Sequence, residues 1–183
     1  KTDDELSMAI DMGIGMINAE SEREIQRVNE FAEEKGIKQK ICIRVNTPIE
    51  VEGGGVLMVG GPRKFGIDEE QIDQKFVEKI LALKNIELKG VHVYAATQVL
   101  NTKAFLANIR NVCETAQKLN KIFPVKYINF GGGLGVPYDE LDESLPLDEI
   151  SSVIGATLKD FPFLKTNNVE LCVEPGRFFV AQS

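Results

Sequence analysis

A run of glycines is the first segment of this sequence whose composition suits ligand chemistry. Residues Gly131 to Gly135 read Gly-Gly-Gly-Leu-Gly, and glycine lets backbone N–H groups approach an anion because no Cβ stands in the way. The run is a candidate phosphate cradle, and a flexible tight turn explains it equally well. It is neither a Walker loop nor a dinucleotide fingerprint, because it lacks Gly-Lys-Ser/Thr and the next predicted helix begins well downstream.

A second candidate is the segment Glu174-Pro175-Gly176-Arg177. The arginine suits a phosphate or a carboxylate, because a guanidinium can donate two parallel hydrogen bonds to such a group. The glutamate suits a ring nitrogen that must stay protonated. A surface ion pair, which contributes little to stability, is the alternative interpretation of these two charges.

The single histidine, His92, lies in an apolar stretch that also carries Tyr94, Thr97 and Gln98. Alone, a histidine or a tyrosine in a strand is more often a core residue than a catalytic one. The two polar residues that follow in the same segment favour a place in a binding site for both. Lys64, in the triplet Lys-Phe-Gly, is interpreted by default as a solvated loop lysine.

Length and composition limit the classes of protein to which the chain can belong. Its 183 residues fit one domain, and 43% hydrophobic with 27% charged residues are ordinary for a folded domain. The net charge of −7 argues against non-specific binding to nucleic acid and against docking on an anionic membrane. Because the sequence has no membrane-length apolar run and no signal-peptide pattern, we expect a cytoplasmic protein.

The three cysteines indicate no chemistry of their own. Cys42, Cys113 and Cys172 are scattered through apolar stretches, and no pair has the spacing of a metal site or a redox motif. We expect buried thiols in a reducing compartment, and no metal ion.

The apolar pattern predicts strands that alternate with helices after an opening helix ahead of Gly13. Ser21 and Glu24 have the spacing of a capping box at one helix start, and Asp68 is predicted to cap another. The predicted strands are 15–19, 41–46, 88–94, 125–130 and 169–173, and the helices between them are 21–36, 68–83, 102–119 and 147–161.

Strands that are apolar throughout suit a parallel sheet buried on both faces. Two α/β architectures fit the pattern, an open doubly wound sheet and part of a TIM (β/α)8 barrel, which needs about 250 residues when complete. In both, ligands bind beyond the carboxyl ends of the strands. The residues there are Arg44 and Asn46, then His92, Tyr94, Thr97 and Gln98, then Gly131–Gly135, and finally Glu174–Arg177.

Four motifs, taken together and in this order, resemble the fold-type III pyridoxal-phosphate decarboxylases, the family of the ornithine, diaminopimelate and biosynthetic arginine decarboxylases. The resemblance implies a decarboxylase of an amino acid that uses pyridoxal 5'-phosphate and forms a homodimer with shared active sites. It implies that residues 1–183 form a partial TIM barrel, without its first strand or the C-terminal β-domain. The motifs are Lys64-Phe65-Gly66, the segment from Gly90 to Gln98, Asn129-Phe130-Gly131-Gly132-Gly133 and Glu174-Pro175-Gly176-Arg177.

The resemblance also implies a role for each matching residue. Glu174 would accept the N–H of the pyridine ring, and Tyr94 would lie against the ring where many relatives have a histidine. With His92, these two are the expected catalytic residues, and Lys64 would lie near the subunit interface. The expected cofactor-binding residues are Thr97, Gly131, Gly132, Gly133, Glu174, Gly176 and Arg177, with the three consecutive glycines, Thr97 and Arg177 at the phosphate.

The chain departs from the family pattern at several positions. Tyr94 replaces a histidine, Ala96 replaces a glycine and Asn129 replaces a common aspartate. The pattern of His92 and Tyr94, with Thr97 and Gln98, resembles outlying, carrier-protein or secondary-metabolite branches more than housekeeping diaminopimelate enzymes. The family's cofactor-linking lysine is expected upstream of Lys1.

Two other functions use the same barrel. An amino-acid racemase is disfavoured by Glu174, because a racemase benefits from a less electrophilic cofactor ring. A non-catalytic regulatory homologue that has lost the cofactor is disfavoured by the glycine run together with Glu174 and Arg177.

Overall fold

The computed structural model describes residues 1–48, 56–57, 64–140 and 142–181. Its helices are α1 (Asp3–Asp11), α2 (Glu22–Glu34), α3 (Gln74–Leu81), α4 (Thr102–Leu119), α5 (Leu147–Lys159), α6 (Pro162–Thr166) and α7 (Gly176–Val180). Its strands are β1 (Ile17–Ala19), β2 (Gln39–Asn46), β3 (Val56–Leu57), β4 (Ile67–Asp68), β5 (Ile86–His92), β6 (Ala96–Thr97), β7 (Tyr127–Asn129) and β8 (Glu170–Cys172). Within these ranges, no helix is both long enough and apolar enough to cross a membrane.

Five parallel strands form the central sheet in the order in which they occur along the chain. β2 pairs with β1 and β5, β5 pairs with β7, and β7 pairs with β8. A doubly wound sheet reverses its strand order at a switch point, whereas each strand of a (β/α)8 barrel lies beside its predecessor. The observed order is that of a barrel, which decides between the two predicted architectures. In addition, β4 pairs with the end of β2, and β3 pairs with β6 in an antiparallel ribbon.

The outer face of this sheet is apolar. Ala19, Ile43, Val91 and Ile128 are aligned in one row across four neighbouring strands, and none of them is exposed to solvent. They share one hydrophobic core with the apolar faces of α2 and α4. Burial of these side chains against the helices provides most of the driving force that holds the strands in register.

The inner face is polar near the carboxyl ends of the strands. The next row in the register consists of Arg44, His92, Asn129 and Cys172. The prediction of strands that are apolar throughout is therefore wrong for this half of the sheet. The reason is that helices cover only the outer face, while the inner face lines the interior of the barrel, where polar side chains can bind a ligand.

The capping of two helices differs from the prediction, although α2 begins after Ser21 as expected. Ser21 Oγ accepts the Glu24 N–H (3.1 Å), but the Glu24 carboxylate accepts from Lys1 Nζ (2.5 Å) instead of completing the capping box. Asp68 does not cap α3, because it lies in β4 and a 3₁₀ turn follows it. Asp73 caps α3 instead, with its carboxylate accepting the Phe76 N–H (2.7 Å).

The predicted helix 147–161 is observed as α5, and a further short helix that was not predicted follows it. α5 ends at Lys159, and α6 begins at Pro162. A proline inside a helix removes one hydrogen bond and clashes with the preceding turn, but its fixed φ suits the first turn of a new helix. The chain therefore turns between Lys159 and Pro162 before it enters β8.

Gly90 permits the close approach of β5 and β7, and this yields a test of the fold. A Cβ at this position would overlap the backbone carbonyl of Tyr127. We expect Gly90→Ala in the natural full-length protein to lower the free energy of unfolding by about 2 kcal/mol or more, because the two strands must separate. Urea denaturation measures this change.

The control for this substitution is Gly155→Ala in α5. A Cβ on Gly155 meets no atom within 4 Å, so alanine should raise the free energy of unfolding by about 0.5–1 kcal/mol through its higher helix propensity. Equal effects of the two substitutions would contradict the pairing of β5 with β7 described above.

Candidate active site

Backbone pairing continues beyond the carboxyl ends of β5, β7 and β8 and aligns the segments that follow these strands. The Val93 N–H donates to the carbonyl oxygen of Asn129 (2.9 Å), and the Glu174 N–H donates to the carbonyl oxygen of Gly131 (2.8 Å). Three motifs that are far apart in the sequence therefore lie side by side at one edge of the sheet.

The glycine loop, residues 131–135, carries three successive backbone N–H groups that lack a partner among the described residues. Gly131 and Gly133 have φ angles of +68° and +107°, which residues with side chains rarely adopt. The Gly131 N–H, which the sequence assigned to a phosphate, donates to Asn129 Oδ1 within the loop (2.9 Å). The N–H groups of residues 132–134 have no hydrogen-bond partner in the described part of the chain. These three groups form the candidate anion cradle.

A cavity of about 330 Å³, here called the site cavity, opens beside this loop. It contains most of the residues that the sequence assigned to the site, while Gly131 and His92 lie outside its lining. The lining residues are Tyr94, Thr97, Gly132, Gly133, Leu134, Glu174, Pro175, Gly176 and Arg177.

The Glu174 carboxylate contacts two buried side chains, and part of the glutamate side chain is exposed to solvent. Asn129 Nδ2 donates to Glu174 Oε1 (2.8 Å), and His92 Nε2 lies 3.7 Å from Glu174 Oε2. Asn129 and His92 are buried, whereas 42% of the Glu174 side chain is exposed. The glutamate can therefore accept a further hydrogen bond from a ligand in the site cavity.

His92 is neutral in the folded protein at physiological pH. Burial lowers the pKa of its imidazole, and the nearby Arg44 acts in the same direction, while the Glu174 carboxylate opposes both. Neither ring nitrogen has a hydrogen-bond partner in the part of the chain that the structure describes. An unsatisfied buried imidazole beside a carboxylate is typical of a functional site rather than of a core residue.

Arg44 supports the ring of Tyr94. Its guanidinium pairs with Glu20 (2.8 Å) and lies 5.0 Å from the centre of the Phe65 ring and 5.8 Å from that of Tyr94. Stacking on aromatic faces is favourable for an arginine and restricts the orientation of both rings. The sequence places Arg44 at a strand end, but its contacts with Glu20 and Phe65 depend on the tertiary structure. Lys64 is exposed and does not line the site cavity.

Arg177 lies at the rim of the site cavity, where Gln98 holds it. Its Nη1 donates to Gln98 Oε1 (3.1 Å), and its guanidinium lies 5.8 Å from the centre of the Tyr138 ring. Gln98 has a φ of +56° and donates from Nε2 to the Val136 carbonyl oxygen (2.5 Å). A non-glycine residue in this conformation costs energy, and such strain is often found beside ligand sites.

None of the three cysteines lines the site cavity. Cys42 and Cys113 are buried, as predicted, and Cys172 is partly buried. Burial raises the pKa of the Cys113 thiol to about 12, so that it stays protonated and unreactive. Among the described residues, no group of three or more His, Cys, Asp or Glu side chains is placed to hold a metal ion.

Comparison with protein-family models gives one match over nearly the whole chain. Residues 1–181 match the family described as "Pyridoxal-dependent decarboxylase, pyridoxal binding domain". The chain is 32% identical over 183 residues to the 2-[(L-alanin-3-ylcarbamoyl)methyl]-2-hydroxybutanedioate decarboxylase of Staphylococcus aureus, covering 99% of this chain and 45% of that protein. It is 28% identical over 181 residues to the L-glutamyl-[BtrI acyl-carrier protein] decarboxylase of Niallia circulans, covering 98% of this chain and 42% of that protein.

Solved structures show the same fold. The diaminopimelate decarboxylase of Helicobacter pylori, complexed with L-lysine, has a TM-score of 0.83 and 25% identity over 100% of this chain and 45% of that one. The diaminopimelate decarboxylase of M. jannaschii, also in complex with L-lysine, has a TM-score of 0.81 and 28% identity over 97% of this chain and 41% of that one. The chain thus spans less than half the length of these relatives.

The burial of His92 generates a prediction about stability and pH. Below about pH 6.5 the unfolded chain protonates this imidazole, whereas the folded state, with its lowered pKa, takes up the proton less readily. The folded state therefore loses stability as the pH falls, by at most about 1.4 kcal/mol per pH unit for one proton. His92→Gln removes this contribution.

Urea denaturation of the natural full-length protein and of His92→Gln, at intervals from about pH 7.5 to pH 5, tests this linkage. We expect the difference in free energy of unfolding between the two proteins to change steadily in favour of His92→Gln as the pH falls. Two curves that stay parallel over this range would show that His92 takes up its proton normally in the folded state.

Proposed function

Because this chain belongs to the family of pyridoxal binding domains of pyridoxal-dependent decarboxylases, we propose that it binds pyridoxal phosphate and takes part in the decarboxylation of an amino acid. One observation carries the proposal. Glu174 and residues 132–134, whose N–H groups have no partner among the described residues, line the same cavity, so that one ligand would meet partners for a pyridine nitrogen and for a phosphate.

At the phosphate end, the N–H groups of residues 132–134 would donate to the phosphate oxygens. Successive backbone amides of this kind form a concave nest for an anion. The Thr97 hydroxyl and the Arg177 guanidinium line the same cavity beside them. Arg177 can bind a phosphate or the carboxylate of the substrate with two parallel hydrogen bonds.

At the ring end, the partly exposed carboxylate of Glu174 would accept the N–H of the pyridine nitrogen. Bound pyridoxal phosphate supplies an electron sink for the electron pair that remains when the substrate carboxylate leaves as CO2. Glu174 would strengthen that sink by keeping the ring nitrogen protonated. The ring of Tyr94, held beside Arg44, would pack against the cofactor ring and orient it.

The substrate is proposed to be an amino acid of the kind that the family resemblance implies: diaminopimelate, ornithine, arginine, or a related or carrier-linked amino acid. The names of two relatives, which refer to a carrier-linked glutamyl group and to an amino acid conjugated to a hydroxy acid, support the last of these. We also propose a cytoplasmic homodimer with shared active sites and with Lys64, which is exposed, at its interface. The motif resemblance supports this assembly.

The role of Glu174 is tested by Glu174→Gln in the natural full-length protein. A glutamine cannot stabilise a protonated ring nitrogen as a carboxylate does, so we expect the turnover number at saturating pyridoxal phosphate to fall by about 100-fold. Release of labelled CO2 from a panel of amino acids measures it. Glu170→Gln, at the other end of β8, is the control and should leave turnover unchanged.

Two results would contradict this proposal. Unchanged turnover in Glu174→Gln would remove the assigned role of the glutamate. A wild-type protein that does not change the absorption spectrum of added pyridoxal phosphate would favour the regulatory homologue without a cofactor.

The phosphate cradle is tested by Gly132→Ala. A Cβ on Gly132 would lie 2.7 Å from the carbonyl oxygen of Glu174, so the loop must shift and its N–H groups lose their common direction. We expect the dissociation constant for pyridoxal phosphate to rise about tenfold or more, measured by spectral titration. Gly155→Ala should bind the cofactor as the wild type does. Unchanged affinity in Gly132→Ala would place the phosphate elsewhere.

A further inference from the structure

Asn129 links the two parts of the site that would bind opposite ends of the cofactor. Its Nδ2 donates to Glu174 Oε1 (2.8 Å), and its Oδ1 accepts the N–H of Gly131 (2.9 Å). The residue is 4% exposed, and its backbone carbonyl accepts the Val93 N–H, so the side chain starts from a fixed strand position. One amide therefore connects the Glu174 carboxylate to the first residue of the glycine loop.

We propose that Asn129 is a positioning residue that couples the orientation of the Glu174 carboxylate to the conformation of the glycine loop. This inference rests on the proposed function, in which Glu174 contacts the ring nitrogen and the loop contacts the phosphate. In the sequence, Asn129 is noticeable only because it replaces the family's common aspartate. Its two hydrogen bonds instead give the amide a role of its own in this chain.

In this chain the bridge uses both functions of an amide. Asn129 donates to one partner and accepts from the other, and only a side chain with both functions can do so at every pH. An ionised aspartate keeps the bond from Gly131 but points an acceptor at another acceptor. Two carboxylate oxygens at this separation share one proton at low pH and repel each other once that proton is lost.

Among the residues that the structure describes, the cations near this point already have partners. His92 on β5 is buried and neutral, and Arg44 on β2 is paired with Glu20. After β8, Arg177 is bonded to Gln98 at the cavity rim. Other titratable groups near this point among the described residues are Tyr94 beyond β5, Tyr127 on β7 and Cys172 on β8, and none of these is cationic. A negative charge at position 129 would therefore act on Glu174 directly.

The test compares Asn129→Asp with Asn120→Asp in the natural full-length protein. Asn120 directly follows α4, and its side-chain oxygen accepts hydrogen bonds from the Val125 N–H and from Asn167 Nδ2. An aspartate can accept both bonds, so the control adds the same charge without opposing Glu174. Both variants are titrated with pyridoxal phosphate from about pH 5.5 to pH 8.5.

We expect Asn129→Asp to bind the cofactor within about threefold of the wild type at the lowest pH and to lose roughly tenfold or more by the highest. Asn120→Asp should follow the wild type throughout. Asn129→Ala, which removes the bridge without adding charge, should lose affinity by the same factor at every pH. An Asn129→Asp profile parallel to the wild type, or an Asn129→Ala loss that grows with pH, would overturn the coupling.

A readout without cofactor separates this inference from the proposed function. In Asn129→Asp the shared proton is held by the folded state and released by the unfolded chain above about pH 4, so the folded state loses stability as the pH rises. The midpoint of thermal unfolding of the cofactor-free protein should therefore fall further below that of the wild type as the pH rises from about 5 to 8. A constant gap overturns the inference even where the wild type binds pyridoxal phosphate. A wild type that binds none overturns the proposed function while this measurement still decides the role of Asn129.

Discussion

Parallel pairing that continues past the ends of β5, β7 and β8 is the constraint on which the rest of the site depends. Hydrogen bonds between Val93 and Asn129, and between Glu174 and Gly131, carry the register of the sheet into the segments that follow the strands. These segments would otherwise be loops with many accessible conformations. Because the sheet orders them, the entropy cost of arranging the site is met largely during folding and not when a ligand binds.

The same register decides which side chains face the ligand. Side chains in a strand alternate between faces, so the apolar row on the outer face fixes a polar row on the inner face. The core residues Val91 and Ile128 thus determine the positions of His92 and Asn129. A slip of one residue would place the polar pair in the core, where its cost in desolvation would be high.

The arginines of the site have polar partners, whereas the Glu174 carboxylate can still accept a hydrogen bond. Arg44 is matched by Glu20, Arg177 rests on Gln98, and His92 is kept neutral by burial. Glu174 receives one hydrogen bond from Asn129 and still faces the site cavity. The Glu174 carboxylate and the N–H groups of residues 132–134 can therefore bind a ligand that has a cationic ring and an anionic group. This agrees with membership of a pyridoxal-binding family.

The sequence by itself determined the alternation of strands and helices, the bounds of α4, and the motifs that identify the family, because these depend on local periodicity and on residue types at fixed spacing. It also placed Tyr94, Glu174 and Arg177 at one edge of a sheet, since strand ends can be located along the chain. Only the tertiary structure decided between a barrel and a doubly wound sheet, because strand order depends on pairing between distant segments. It alone revealed that Asn129 binds both Glu174 and Gly131. Those contacts depend on the register and on side-chain direction across neighbouring strands, which no pattern along a single chain specifies.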